Sequence, residues 1–260
     1  MNYGRETLEL DRGKAEIIKF QMNEQNSLTR QNMEELQDIL KEIQENDQIK
    51  GVILTSDNPK FFCNGLDGDT LLSTSGEELL GHVGGICILF GHLLRFDKPL
   101  ITEVTGHAMG GGAVITSASD YRYMLSTGCR IAFTEVLVGL PLPAMFVSRI
   151  QETVNPIKVT EICLEAANYK GKEAKEVGMI DDVAETKEEL RKFSIKKLDT
   201  LFRLPILAVR QTKQNVNKRS LFRYEEYLEE TKKSFQAPGV IENLREGMLA
   251  VKERRRPNFK

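Results

Sequence analysis

The feature that most restricts the fold of this chain is the alternation of short apolar strands with helices up to about residue 185, followed by helices alone. The runs at 51–56, 99–105 and 121–125 are typical of buried strands, and helical patterns separate them. This alternation predicts an α/β core, and the helical remainder predicts an appendage. We expect a core over residues 1–200 and a helical oligomerisation region over residues 201–260.

The other predicted elements are a hairpin at 6–20, helices at 30–45, 76–96, 156–167, 171–177 and 187–201, and short strands at 130–133 and 180–183. Residues 57–69 are predicted to form a loop. From residue 204 to 254 the pattern is helical, with breaks at Pro205 and at residues 238–239.

Composition excludes several classes of function. The net charge of -2 over 260 residues gives no general attraction to nucleic acid or anionic membranes. The four cysteines form no CxxC pair and three lie in apolar contexts, so we expect core thiols in a reducing compartment. Three scattered histidines do not fit a typical zinc site, and we expect no metal.

The N-terminus lacks the apolar region of a secretory signal. The longest apolar stretch, 83–94, is short for a membrane span. A cytoplasmic location is therefore expected.

The segment 106–112, Gly-His-Ala-Met-Gly-Gly-Gly, follows a predicted strand and leads into a predicted helix. Glycines let a ligand approach the backbone, and the first N–H groups of a helix lack intrahelical partners. Such a place can hold an oxyanion, although a glycine loop alone is more often a structural turn. Another loop, 60–67, follows a different apolar strand. One N–H from this loop and one from the glycine segment can therefore converge on a single oxygen.

A third segment, 133–143, contains Glu135 between apolar residues on both sides. Desolvation there would raise the pKa of its carboxyl group toward that of a general base, although a glutamate at a helix start can also act as a cap or pair with a cation. The chain has no dinucleotide fingerprint, Walker loop, nucleophile elbow or HExxH motif.

Taken together, four segments resemble the enoyl-CoA hydratase/isomerase (crotonase) superfamily: FCNGLD at 62–67, GHAMGGG at 106–112 with SDYR at 119–122, TEVLVGLPLP at 134–143, and AKEVGMIDDV at 174–183. The resemblance covers nearly the whole chain. It implies a crotonase-type α/β spiral of strand–strand–helix turns, a C-terminal helical trimerisation region, and a homotrimer or hexamer. It also implies an acyl-CoA substrate, with coenzyme A as part of that substrate and no separate cofactor.

By the same resemblance, the thioester oxygen would be held by the backbone N–H groups of Leu66 and Gly111. Hydratases of this superfamily carry two glutamates, and here the two positions are Val114 and Glu135. Valine cannot transfer a proton, whereas moving a double bond needs a single base. The pattern therefore resembles the Δ3,Δ2-enoyl-CoA isomerases, with Glu135 as the catalytic residue.

Two alternatives stay open at this stage. One is a hydratase or another thioester-enolate enzyme whose second base is Asp67, Asp69, His82 or His92. The other is a non-catalytic acyl-CoA binder, which the presence of Glu135 beside both loops argues against.

Further candidate substrate-contacting residues lie in or beside the same loops; they are Lys60, Phe62, Asn64, Gly65, Asp67, Gly110 and Pro141. Lys60 is also a candidate partner for the phosphates of coenzyme A, although a solvated lysine is the commoner role. We expect His107 to pack beneath the glycine loop and Asp120 to fix the following turn. The arginines at 254–256 are expected to form a solvated helix end.

Overall fold

The computed structural model describes residues 2–259 and contains two parallel-stranded sheets surrounded by helices. The strands are β1 (Tyr3–Leu10), β2 (Gly13–Phe20), β3 (Ile49–Ser56), β4 (Phe61–Cys63), β5 (Leu100–Val104), β6 (His107–Met109), β7 (Tyr121–Leu125), β8 (Ile131–Ala132) and β9 (Asp182–Ala184). The helices up to residue 165 are α1 (Arg30–Glu45), α2 (Gly68–Ser73), α3 (Gly76–Arg95), α4 (Gly111–Ala118), α5 (Ala144–Thr153) and α6 (Val159–Glu165). They are followed by α7 (Gly171–Glu176), α8 (Lys187–Phe202), α9 (Ile206–Phe222), α10 (Tyr224–Phe235) and α11 (Val240–Glu253). Two 3-10 helices, Glu135–Val138 and Pro156–Lys158, complete the described elements.

The larger sheet has the strand order β1-β2-β3-β5-β7-β9, and the smaller one has the order β4-β6-β8. Apart from the antiparallel β1–β2 hairpin, neighbouring strands in both sheets are parallel. The chain places β3, β5 and β7 in the larger sheet, and each is followed by a strand of the smaller sheet and then by helix. The expected spiral of strand–strand–helix turns is therefore confirmed.

The apolar character of the central strands follows from helices on both faces of the larger sheet. Ile53 pairs in register with Ile17 on one side and Ile101 on the other. These side chains pack with Leu190 and Leu198 of α8 in one buried cluster, while alternate residues face a larger cluster shared with α1, α3, α4 and α5. Parallel strands covered on both faces need nearly continuous apolar runs, which is why the sequence shows them.

Several predicted boundaries need correction. The predicted loop at 57–69 contains β4 and the start of α2, and the glycine segment contains β6. Both strands are three residues long, too short for a periodic pattern. Helix α5 was not predicted, since it begins directly after the turn-like Pro-Leu-Pro of 141–143. The predicted helix at 156–167 divides into a 3-10 turn and α6, and the C-terminal helical region has a further break at Arg223.

The helices beyond residue 202 pack on the core of their own chain. Helix α9 contacts α3 and α5, α10 contacts the same two helices, and α11 contacts α2 and the 3-10 helix that begins at Glu135. The predicted boundary at residue 200 falls in the last turn of α8. Within residues 2–259, α3 is the single helix that is long and apolar enough to cross a membrane. More than half of its most apolar 18 residues are buried inside the protein.

All four cysteines are free and buried, which confirms them as core residues. Asp120 was expected to fix the following turn, but its carboxylate contacts other elements: it accepts the N–H of Leu100 at 2.7 Å and lies 2.7 Å from the ammonium group of Lys213. Asp120 thus joins the start of β5 to helix α9. Arg255 of the basic C-terminal run pairs with Glu246 and Glu253 on the exposed side of α11.

Candidate active site

The first loop of the site connects β4 to α2 and carries Leu66. Leu28 donates its N–H to the carbonyl of Gly65 at 2.7 Å and accepts the N–H of Asp67 at 2.9 Å. Leu28 and Leu66 thus form a parallel β-bridge, in which Leu28 bonds to the residues before and after Leu66. In such a bridge the N–H of the middle residue is directed to the opposite side of its strand. The N–H of Leu66 therefore points away from Leu28. Gly65 adopts a φ of 83°, which a residue with a side chain rarely does.

The second loop connects β6 to α4 and carries Gly111, the first residue of that helix. Its N–H belongs to the first helical turn, where backbone donors lack intrahelical acceptors and the helix dipole is positive. Gly110 precedes it with a φ of 49°, and its N–H is held by the carbonyl of Ala132 at 2.9 Å. This bond fixes the loop to β8, the strand that leads toward Glu135.

The two loops lie in direct contact. A Cβ atom added to Gly65 would lie 3.3 Å from the nitrogen of Gly111, and one added to Gly111 would lie 3.4 Å from the Cα of Gly65. The absence of side chains at both positions is what allows this approach. The structure thus brings Leu66 and Gly111, the two proposed donors, to neighbouring positions at the ends of β4 and β6.

Glu135 is the first residue of a 3-10 helix and lies beside the second loop. A Cβ atom on Gly110 would be 3.8 Å from its Oε1. The residue as a whole retains some exposure, but its Oε2 atom is buried and has no hydrogen-bond partner among the described residues. Burial raises the pKa of this carboxyl group to about 7, against a weaker opposing bond from its own backbone N–H. A carboxyl group in this state can both accept and return a proton near neutral pH.

Two thiols lie near enough to the Glu135 carboxyl group for its charge to affect them: Cys87 on α3 and Cys163 on α6. Burial raises the pKa of the Cys87 thiol to about 12, with Glu135 as a smaller cause, and the pKa of Cys163 is raised for the same reasons. Both thiols therefore stay neutral over the range in which Glu135 ionises. Val114 is fully buried in α4, so the second glutamate position of a hydratase holds an aliphatic side chain in the apolar core.

The raised pKa of Glu135 has a consequence for stability. Folding disfavours the ionised carboxylate, so this group lowers stability progressively as the pH rises from its ordinary value of 4.5 to about 7. We expect the Glu135→Gln variant to be more stable than the wild type at pH 8.5, by up to about 3 kcal/mol, and to gain much less at pH 5. Thermal unfolding of both proteins at the two pH values measures this difference. An equal change in Tm at both values would contradict burial of the ionisable group.

The other candidate contact residues occupy different surroundings. Lys60 directly precedes β4, and Asn64 is the first residue of the loop that follows this strand. Lys60 is exposed and places its ammonium group 5.1 Å from the ring centroid of Phe61. Asn64 donates its side-chain N–H to Gln25 at 2.7 Å. Pro141 borders a cavity of about 200 Å³ between the segment after Glu135 and α10.

Phe62 and Asp67 need reinterpretation. Phe62 is fully buried and stacks on Phe20 with ring centroids 5.0 Å apart, so its side chain belongs to the core. Asp67 is the N-cap of α2, because its carboxylate accepts the N–H and the hydroxyl of Thr70 at 2.8 Å each. Neither role was expected, because both residues lie within the segment that resembles the family loop, although aspartate is a common N-cap residue.

His107 lies in β6, and its ring is 5.8 Å from that of Phe61. Its Nδ1 atom is buried and has no hydrogen-bond partner in the described part of the chain. Burial and the nearby Lys60 and Arg130 cations lower the pKa of the imidazole. This agrees with the expected packing beneath the loop. Within residues 2–259, no group of three or more His, Cys, Asp or Glu side chains is arranged to hold a metal ion.

Comparison with known proteins gives the family. The family model for enoyl-CoA hydratase/isomerase matches residues 12–260. Short-chain-enoyl-CoA hydratase of Clostridium acetobutylicum is 27% identical over 195 residues, covering 74% of this chain and 73% of that protein. Human mitochondrial enoyl-CoA delta isomerase 1 is 24% identical over 204 residues, covering 78% and 67%.

Among solved structures, human mitochondrial delta3-delta2-enoyl-CoA isomerase superposes with a TM-score of 0.86 at 20% identity. That match covers 98% of this chain and 99% of the other. At this identity the likeness shows the fold alone. The sequence relatives include both hydratases and isomerases, so they do not distinguish hydration from isomerisation.

Proposed function

Since the chain belongs to the enoyl-CoA hydratase/isomerase family, we propose that it is an enoyl-CoA isomerase that moves a double bond from position 3 to position 2 of an acyl-CoA thioester. The observation that carries this proposal is the pairing of Glu135, buried with a pKa near 7, with Val114 at the position of the second glutamate. The substrate is a 3-enoyl-CoA, coenzyme A enters as part of it, and the reaction uses no separate cofactor or metal.

The proposed mechanism uses one side chain and two backbone groups. Ionised Glu135 removes a proton from C2, and the electrons of that C–H bond form a dienolate whose negative charge rests on the thioester oxygen. The N–H groups of Leu66 and Gly111 donate hydrogen bonds to this oxygen. Neutral Glu135 then returns the proton to C4, which leaves the double bond at position 2. One oxyanion donor typically lowers such a barrier by about 2.7–4 kcal/mol, so two account for much of the stabilisation.

Of the four other candidate bases, Asp67, Asp69 and His82 make contacts of their own. Asp67 caps α2, and the carboxylate of Asp69 is exposed and lies 2.7 Å from the ammonium group of Lys252. His82 accepts the backbone N–H of Arg30 through Nδ1 at 3.2 Å. His92 lies in the last turn of α3, where burial and Arg95 lower the pKa of its imidazole. The contacts of Asp67, Asp69 and His82 support a single-base reaction over hydration, which calls for a second group to activate water.

The proposal is tested by offering purified protein a 3-enoyl-CoA in one assay and a 2-enoyl-CoA in water in another. We expect isomerisation of the first to be much faster than hydration of the second. Rapid hydration without isomerisation would favour the hydratase alternative. Tight binding of both thioesters without turnover of either would favour a non-catalytic acyl-CoA binder.

The pKa of Glu135 also predicts a pH dependence. The base must be ionised to accept the C2 proton, so kcat/KM for isomerisation is expected to fall below about pH 7 and to level off above it. Cys87 and Cys163 stay neutral in this range and add no second limb near neutral pH. Initial rates at limiting substrate between pH 5 and 9 measure the profile. A flat profile down to pH 5 would argue against Glu135 as the titrating base.

We further propose that the enzyme acts in the cytoplasm as a homotrimer or hexamer assembled through residues 201–260. Large apolar side chains of this region remain exposed on the single chain, among them Leu207 at 64%, Val216 at 65% and Phe222 at 83%. Burial of such side chains against other subunits would remove them from water, which supports an interface in this region. Light scattering of the purified protein gives the number of chains directly.

A further inference from the structure

Helix α11 lies against both halves of the active site. On one side it meets the 3-10 helix that carries Glu135, and on the other it meets α2, the helix that follows Leu66. Glu135 and Leu66 come from segments about 70 residues apart in the sequence, and a catalytic base and an oxyanion donor must keep a fixed separation to act on one substrate. The contacts of α11 therefore bear on catalysis as well as on folding.

The contact with the 3-10 helix is made by backbone against backbone. A Cβ atom added to Gly247 of α11 would lie 2.5 Å from the Cα of Val138 and 2.6 Å from its carbonyl oxygen. One turn earlier in α11, Asn243 meets Gly139, where an added Cβ would lie 2.7 Å from the Asn243 Cβ. Gly139 ends the 3-10 helix with a φ of 80°. Two glycines, one on each element, thus let α11 approach the segment of Glu135 closely, with the Cβ atom of Asn243 directly against Gly139.

The contact with α2 uses side chains. A Cβ atom on Gly68 would lie 2.7 Å from the terminal methyl group of Met248, so this methionine packs directly on the first turn of α2. Arg245 donates to the carbonyl of Thr74 at 2.9 Å, and Lys252 pairs with Asp69 at 2.7 Å. Three contacts over about two turns of α11 therefore hold α2 in place.

An apolar cluster joins the two contacts. It is formed by buried Leu71, Leu79, Val83, Leu140, Phe235 and Leu244, with Leu66, Val138 and Met248 partly buried against it. The side chain of the oxyanion donor Leu66 and that of Val138, three residues after Glu135, thus pack on the same cluster as α11. Close-packed side chains transmit displacement, so a shift of α11 would move both.

From these contacts we propose that α11 is the positioning element of the active site, with Gly247 and Met248 as positioning residues that set the place of Glu135 relative to the Leu66 loop. The inference rests on the proposed function for its catalytic consequence, but the coupling between α11 and the two segments is a property of the fold alone. None of these α11 residues takes part in the proton transfer itself.

The test compares Gly247→Ala and Met248→Ala with Leu249→Ala, a neighbouring residue of α11 that is 38% exposed and lies outside the cluster. A misplacement of about 1 Å can lower a rate on the order of 10²-fold, so Gly247→Ala is expected to lower kcat by that order with a small change in KM. Met248→Ala is expected to lower kcat several-fold, and Leu249→Ala to leave it unchanged. Because water would reach Glu135 in Gly247→Ala, the midpoint of its pH–rate profile should move below that of the wild type.

Amide hydrogen exchange without substrate gives a readout that is independent of the reaction. We expect faster exchange at Leu137, Gly139 and Leu140 in Gly247→Ala, and at Leu71 and Thr74 in Met248→Ala, with no change in Leu249→Ala. If Gly247→Ala fails to fold, the Met248→Ala and Leu249→Ala pair still decides the question. Folded variants with wild-type exchange at these amides would overturn the proposal, whereas altered exchange in a protein without isomerase activity would overturn only the proposed function.

Discussion

Replacement of Glu135 by glutamine is expected to lower kcat for isomerisation of a 3-enoyl-CoA by about 10³- to 10⁴-fold, with little change in KM. General acid–base catalysis by one positioned group contributes about 10²- to 10⁴-fold. The upper part of this range is expected because the same carboxyl group acts in both proton transfers. The amide of glutamine has nearly the same shape but cannot take the proton from C2, so substrate binding should persist.

Steady-state kinetics of the purified variant measure this loss. The matched control is Glu165→Gln, which removes an exposed carboxylate from α6 and should retain full activity. A Glu135→Gln variant with activity near that of the wild type would show that another group is the base. Thermal unfolding at pH 5 shows whether the variant is folded, since the wild-type carboxyl group is largely neutral at that pH.

The second large effect is expected for Gly112→Ala, which should lower kcat by at least about 10²-fold and destabilise the protein by about 1–3 kcal/mol. An added Cβ would lie 2.2 Å from the carbonyl oxygen of Cys63, and backbone atoms cannot move aside as the end of a side chain can. Cys63 ends β4 just before the Leu66 loop, and Gly112 follows Gly111. The methyl group would therefore push apart the two loops that supply the oxyanion donors.

A matched control is Gly4→Ala in β1, where the added Cβ would meet only the side chain of Gln21 at 3.0 Å. That side chain can move, so activity and stability should stay near those of the wild type. The comparison needs kcat from initial rates and Tm from thermal unfolding for both variants. Full activity in a folded Gly112→Ala protein would contradict a site built from closely packed loops.

Much of the fold followed from local patterns, because the elements with clear periodicity are long and half-buried. The amphipathic stretch at 30–45 is a helix with those bounds, and its buried residues include Met33, Leu36, Leu40 and Ile43. Short elements were less predictable. The strands β4 and β6 depend on pairing between segments more than 40 residues apart, which no local pattern shows.

Some features of the candidate site were also expected from the sequence, and others were not. The isolation of Glu135 among apolar neighbours predicted its desolvation, and its raised pKa agrees. The contact of the Gly65 and Gly111 segments was expected from their places at the ends of strands. The role of Asp67 as a helix cap and the burial of Phe62 were not expected. Both depend on the direction of a side chain, that of Phe62 in β4 and that of Asp67 just before α2. The closeness of α11 to Glu135 depends on Gly247, a residue without a local signal.

The central claim, that one buried carboxyl group carries the proton from C2 to C4, is tested most directly with a 3-enoyl-CoA labelled with deuterium at C2. The Oε2 atom of Glu135 is buried and has no hydrogen-bond partner within residues 2–259, so we expect a proton on this group to exchange with solvent more slowly than it is transferred to C4. At low conversion in ordinary water, the 2-enoyl product should carry part of the label at C4. A product in which the new C4 hydrogen comes entirely from water from the first turnover onward, or a hydroxyacyl product in its place, would contradict the account.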